Sequence, residues 1–136
     1  AELGLTKQVC FVGYSYDVPG WLKLSDVYIS VSRREGMAIN LVEALLCGCP
    51  IVVSDIRGHR ETLQFGESET GTLLPPGNEA VWARAISNKL SFSQAERVKC
   101  AEMAAQEGKP FTISEALKVH ARIYTDVLGS PVEIRH

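Results

Sequence analysis

The sequence predicts an open α/β fold in which a parallel sheet carries helices on both faces. Three observations predict it. Short β-branched runs alternate with longer stretches of helical periodicity. Three of these strand and helix boundaries open into polar or glycine-bearing loops, where open α/β sheets bind ligands. The length, 136 residues, suits one domain with one core.

Residues 9–12, Val-Cys-Phe-Val, read as a buried strand that ends at Gly13. Residues 19–24 read as a short helix with Pro19 near its start. Residues 27–31 form the second expected strand. Residues 39–47 are helical, stopped by Gly48 as C-terminal cap and by Pro50 beyond it. Residues 51–53 and 71–74 are the third and fourth strands.

Three helices follow with no strand between them. The first covers residues 79–90, with Asn78 as N-cap. The second covers residues 93–107 and opens on Ser-Gln-Ala-Glu, a capping box. The third covers residues 114–128, with Ser114 as N-cap and Gly129 at its end. Four strands are fewer than the five or six usual for this class, so the first strands are expected upstream of residue 1. The domain is taken as residues 1–129, with residues 130–136 as a tail.

Composition excludes several function classes. With 46% hydrophobic and 22% charged residues, the chain is not a disordered one. A net charge of −2 and the lack of a Lys/Arg run argue against a nucleic-acid partner. The longest apolar stretch, residues 39–53, holds Asn40, Glu43, Gly48 and Pro50 and is too short and interrupted to span a bilayer. The first residues show no secretory signal pattern, and the missing initial Met points to a trimmed or processed chain. Of the cysteines Cys10, Cys47, Cys49 and Cys100, three lie in apolar segments where a thiol acts as a small hydrophobe. Their spacing fits no zinc site, so no metal is expected, and a reducing cytoplasm is.

The candidate chemistry lies in the loops at residues 13–17, 32–38 and 54–60. In the second, Gly36 permits a positive φ and close approach of a ligand to the backbone. The amides of Met37, Ala38, Ile39 and Asn40 then form the open first turn of a helix, a seat for a diphosphate. The alternative is a tight turn with no ligand. Glu43 stands on a helix apolar on nearly every side, where a carboxylate is costly unless bonded. It is placed to take two ribose hydroxyls; the alternative is a structural carboxylate bonded to backbone amides or to Arg57. Glu35 precedes Glu43 by eight positions and would flank the same anion seat from the sugar side. Its alternative is a solvated pair with Arg33 or Arg34.

Residues 32–55 resemble the signature of the family 4 retaining glycosyltransferases. There a Glu, seven residues and a second Glu are followed by Ala, Gly-x-Pro and a strand ending in Ser-Asp. This chain supplies Glu35, Glu43, Ala44, Gly48-Cys49-Pro50, Ile51-Val52-Val53 and Ser54-Asp55 in that order. The likeness covers most of the chain, and residues 56–61 are similar to bacterial capsule and exopolysaccharide transferases. It implies a Rossmann-like domain, the donor-binding half of a GT-B fold. Glu35 would be the catalytic-site carboxylate on the donor sugar. Gly36, Met37, Ala38, Ile39 and Asn40 would hold sugar and diphosphate, and Glu43 the ribose. Gly13, Tyr14 and Tyr16 would line the nucleobase.

Two departures stand out. Met37 and Ala38 replace the family's aromatic-Gly pair. The family's upstream Gly-Arg and Lys have no counterpart, and none of Arg33, Arg34, Arg57 or Arg60 matches their positions.

The resemblance further implies metal-independent, retaining transfer of a hexosyl group from a nucleotide-diphospho-sugar, UDP-linked by preference, to a polysaccharide or lipid-linked acceptor. An N-terminal acceptor domain would be the partner, with association at the inner membrane face through it. This piece by itself would bind nucleotide without turnover. Its last helix presents an apolar face (Ala116, Leu117, Ile123, Tyr124, Val127, Leu128), so self-association is expected. The competing reading is a non-catalytic α/β module that binds a nucleotide or anion. A dehydrogenase-type domain is excluded because no Gly-x-Gly-x-x-Gly follows the first strand.

Overall fold

The centre of the molecule is the run Ile-Val-Val-Ser at residues 51–54, every residue of it buried. In the computed structural model, which describes residues 3–63 and 70–131, it forms the middle of a three-stranded parallel sheet. The strands are β1 (Tyr28–Ser30), β2 (Ile51–Ser54) and β3 (Gly71–Leu74), side by side in that order. Tyr28 pairs with Ile51 and Ile51 with Gly71, so the three C-terminal ends finish along one edge.

Strand alternation sorts the side chains onto two faces. Tyr28, Ile51, Val53 and Leu73 point into the main core. There they meet α2 (Ile39–Leu46), which contributes Leu41, Ala44 and Leu45, with Leu22 from α1 (Val18–Leu24) and Leu63 from α3 (Arg57–Leu63). Behind α2 lies α5 (Gln94–Gly108), whose Ala104 completes the cluster. On the other face α4 (Glu79–Leu90) packs against β2 and β3 and brings Trp82 towards Ile29. Helices therefore cover both faces, as the sequence predicts. A one-turn 3₁₀ segment, Lys109–Phe111, leads from α5 into α6 (Ile113–Leu128).

Caps explain most of the boundaries. Asn78 Oδ1 accepts from the Val81 amide at 3.2 Å, and Ser93 and Glu96 form the full capping box. Gly48, at φ 72°, sits just past the Cys47 cap of α2, where an added Cβ would lie 2.8 Å from that of Ala101. Glycine there both ends α2 and lets α5 close on it.

Several expectations change. Residues 9–12 are not a strand: they pair with nothing in the sheet, and Phe11 is 94% exposed. A parallel strand needs a ladder partner and cover on both faces, and β1 offers this segment neither. Cys10 is accordingly exposed, while Cys49 and Cys100 are buried. Among the described residues the sheet has three strands in place of four. Residues 54–60 are only partly a loop, because α3 begins at Arg57. The last helix starts at Ile113, with Thr112 as N-cap, and Ser114 lies inside it. The 3₁₀ turn feeds the helix directly, so it begins before Ser114. Helix α2 is not buried all round, since Ile39 and Leu46 are exposed. Ile123, Tyr124, Val127 and Leu128 on α6 are exposed, as expected. No helix among the described residues is long and apolar enough to cross a membrane.

Candidate functional site

The loop after β1, residues 31–38, is held in shape by hydroxyl groups. Ser32 Oγ donates to Glu35 Oε1, and Ser30 Oγ lies 3.2 Å behind it. Ser54, at the end of β2, donates through Oγ to the Ser32 carbonyl at 2.5 Å and so ties the loop to the neighbouring strand. Helix α3 closes from the other side. Its Gly58 is packed so tightly that a Cβ there would lie 2.8 Å from the Glu35 carbonyl oxygen and closer still to that of Gly36. This brings the fully buried His59 behind Glu35, with Nε2 3.7 Å from Oε2. Neither Arg33 nor Arg34 pairs with Glu35; Ser32 and His59 take that role, because both arginines point outward.

Beyond the loop, Ala38 caps α2 with no side-chain hydrogen bond. The Ile39 amide is already engaged by the Met37 carbonyl at 3.1 Å, so of the expected anion donors it is occupied. The amides of Met37, Ala38 and Asn40 make no turn or cap hydrogen bond among the described residues. Gly36 does not take a positive φ. Its lack of a side chain instead leaves open space on its Cβ side, which suits a ligand lying against the backbone.

Glu43 follows one turn into α2 and is half-buried. It forms no hydrogen bond or ion pair among the described residues, and Arg57 is taken by Glu61 at 2.6 Å. Both carboxylates lie close to Tyr28. Burial pushes the Tyr28 hydroxyl up to about 12, Ser30 opposes this, and the charges of Glu35 and Glu43 add to the rise. Both glutamates are thus within electrostatic reach of the one Tyr28 hydroxyl.

The predicted nucleobase loop is arranged differently. Gly13 takes φ 74°, and Tyr14 and Tyr16 are exposed and packed edge to face, with ring centroids 4.9 Å apart. The loop is tied down by Ser15, which accepts from the indole of Trp21 at 3.2 Å. Nearby, the Cys47 thiol reaches the Pro19 carbonyl, so the first turn of α1 sits against the end of α2 remote from Gly36.

Two grooves lie near the predicted set. One, of about 510 Å³, runs between Ile29 of β1, Val31 and Arg33 of the loop after it, and Trp82, Ala83 and Ile86 of α4. Neither Glu35 nor Glu43 lines it. The smaller, about 280 Å³, is bounded by Gly36, Met37, Gly58 and Phe111 and adjoins the Glu35 loop. Sequence reasoning missed Ser32, Ser54, Gly58 and His59 as site residues. The one available signal was polar residues in a strand-end run. Among the described residues no cluster of His, Cys, Asp or Glu is arranged to hold a metal ion.

The three-stranded parallel sheet with helices on both faces is consistent with a Rossmann-like half of a GT-B fold. The chain belongs to the family described as glycosyl transferases group 1, whose model matches residues 1–119. It is similar to EpsD of Bacillus subtilis (strain 168), whose name assigns it provisionally to the glycosyltransferases: 38% identity over 85 residues, 62% of this chain and 22% of that protein. It is also similar to the lipopolysaccharide core biosynthesis mannosyltransferase LpsB of Rhizobium meliloti (strain 1021), at 24% identity over 94% of this chain and 36% of that one. A UDP-Gal:alpha-D-GlcNAc-diphosphoundecaprenol alpha-1,3-galactosyltransferase of Escherichia coli is 38% identical over 58 residues, 43% of this chain and 15% of its own. The chain spans little more than a third of these relatives at most.

Proposed function

We propose that the chain is the donor-binding half of a retaining glycosyltransferase and holds a nucleotide-diphospho-sugar, UDP-linked by preference, at the start of α2. The observation that carries this reading is Glu43. A half-buried carboxylate without a partner has lost hydration and gained nothing in return. The two vicinal hydroxyls of a ribose would supply the missing donors. The diphosphate would lie against the free amides of Met37, Ala38 and Asn40, where the helix dipole favours negative charge. Glu35, already oriented by Ser32, would accept from hydroxyls of the sugar, and Tyr14 or Tyr16 would border the base. The name of the E. coli relative supports UDP; that of LpsB shows that the sugar differs among relatives.

Transfer in this reading needs no metal. Helix-terminal amides stabilise the departing nucleotide diphosphate as its charge develops. Both oxygens of Glu35 face groups of the protein, which leaves it poorly placed as a nucleophile. Attack on the same face as departure, with the leaving phosphate accepting the acceptor's proton, then gives retention. The acceptor, a polysaccharide or lipid-linked sugar, would be bound by a further domain, through which the enzyme would meet the inner face of the membrane.

Calorimetric titration with UDP tests the reading. The chain should bind UDP with a chelator present, and Glu43→Ala should weaken binding at least about tenfold, roughly 1.4 kcal/mol, with an unchanged circular dichroism spectrum. No binding by the unmodified chain, or equal binding by the variant, contradicts it.

A further inference from the structure

We propose that His59 is the positioning residue of Glu35: a buried imidazolium whose Nε2 faces Glu35 Oε2 in an ion pair and fixes that carboxylate as an acceptor for the donor sugar.

Proton positions follow from the hydrogen bonds one at a time. Ser54 Oγ gives its only proton to the Ser32 carbonyl at 2.5 Å. Towards His59 Nδ1, 3.3 Å away, that hydroxyl is therefore an acceptor. The Ser54 carbonyl, 2.8 Å from the same nitrogen, can only accept. Nδ1 must carry a proton. The other nitrogen, Nε2, is buried, has no hydrogen-bond partner, and faces Glu35 Oε2 at 3.7 Å. Left bare, it would set a lone pair against a carboxylate inside the protein, the costly arrangement for a buried polar atom. Protonated, it becomes the donor half of an ion pair. Glu35 is suited to the other half, because Oε1 already accepts from Ser32 and Oε2 is left to face Nε2.

The surrounding charges leave Glu35 as its counter-ion. On its own helix, Arg57 pairs with Glu61 and Arg60 with Asp55 at the surface. The loop adds Arg33 and Arg34 and α2 adds Glu43, but of these groups only Glu35 forms an ion pair with His59. Gly58 is what allows the approach, since a side chain there would push α3 off the loop.

The consequence concerns orientation. With Ser32 on one oxygen and His59 on the other, the carboxylate plane is set before substrate arrives, and each oxygen keeps a lone pair for a sugar hydroxyl. His59 touches neither donor nor acceptor, and acts through Glu35. The inference rests on the donor-binding reading for its functional consequence, whereas the proton placement stands apart from it.

Two measurements separate these. Nitrogen-15 spectra of the imidazoles in the full chain, at slightly alkaline pH, use exposed His120 as an internal reference. His59 should show two protonated nitrogens, and Glu35→Gln should return Nε2 of His59 to the unprotonated position. A neutral His59 with bare Nε2 in the unmodified chain overturns the proposal. Calorimetry with UDP and with UDP-galactose reads the consequence. His59→Gln, which keeps an amide donor near the Nε2 position, should retain most of the added affinity that the sugar brings. His59→Leu should lose it about tenfold, with UDP affinity unchanged in both. If His59→Leu does not fold, the imidazole spectra still decide. Equal sugar-dependent gain in His59→Leu overturns positioning. Failure of the unmodified chain to bind UDP at all would sink the donor-binding reading and leave the proton placement to the spectra.

Discussion

The two ends of the candidate site are built in opposite ways. At the Glu35 end, the loop is clamped by Ser32, Ser54 and His59, and α3 presses on its backbone through Gly58. At the Tyr14 end, two exposed rings lean on each other and the loop is tied down through Ser15. One end is set by buried partners, so a ligand there meets little ordering cost; at the other the two rings are exposed and would be immobilised only as a ligand binds. Affinity and specificity should therefore be concentrated at the clamped end.

The most disruptive way to break that contrast is Gly58→Ala. Its Cβ would meet backbone rather than a movable side chain, so α3 and the loop must separate. Overpacking of this kind costs about 1–3 kcal/mol. Thermal unfolding should show the loss, and the sugar-dependent part of UDP-galactose affinity should fall with it. Stability equal to that of the unmodified chain would mean the loop is not clamped.

Alkali offers a second probe, through Tyr28 and Cys49, neighbours where β1 and β2 begin. Burial raises both above their ordinary values of 10.0 and 9.0, to about 12 and about 11. Below pH 9 both groups keep their protons whether folded or unfolded, and stability is at its full value. Above that the unfolded chain releases protons that the folded chain retains, so stability should fall between about pH 9 and 12. Urea titrations across that range check it; a flat profile would contradict the burial.

Changes at the open end should be milder. Tyr14→Ala and Tyr16→Ala are each expected to weaken UDP binding about threefold, since immobilising the exposed rings consumes part of any stacking gain. A loss as large as that of Glu43→Ala would reverse the comparison. Smallest of all, Arg57→Ala removes an exposed ion pair with Glu61 and should leave both the unfolding temperature and UDP affinity unchanged.

The core was legible because β-branched runs and helix caps act locally. Residues 51–53 and 71–74 read as strands from their side chains alone, and Asn78 and Ser93 announced their helices. Residues 9–12 read equally well and are not a strand, because strand formation depends on a neighbour that composition does not reveal. Helix α3 went unseen for the converse reason. Seven residues are too few to show a period, and Gly58 is a poor helix former; it is α3's packing on the loop that accounts for it. The carboxylates Glu35 and Glu43 stood out by spacing. Their supports did not: a serine at a strand end or a lone histidine gains meaning only when β2 and α3 are set beside the loop.

The central claim is that a donor diphosphate and sugar occupy the β1–α2 junction. Backbone amide shifts recorded as UDP-galactose is added test it most directly. The account predicts the largest changes at Gly36, Met37, Ala38, Asn40 and Glu43, with smaller ones at Tyr14 and Tyr16. Changes confined to the groove between Ile29 and Trp82, with the start of α2 unmoved, would contradict it.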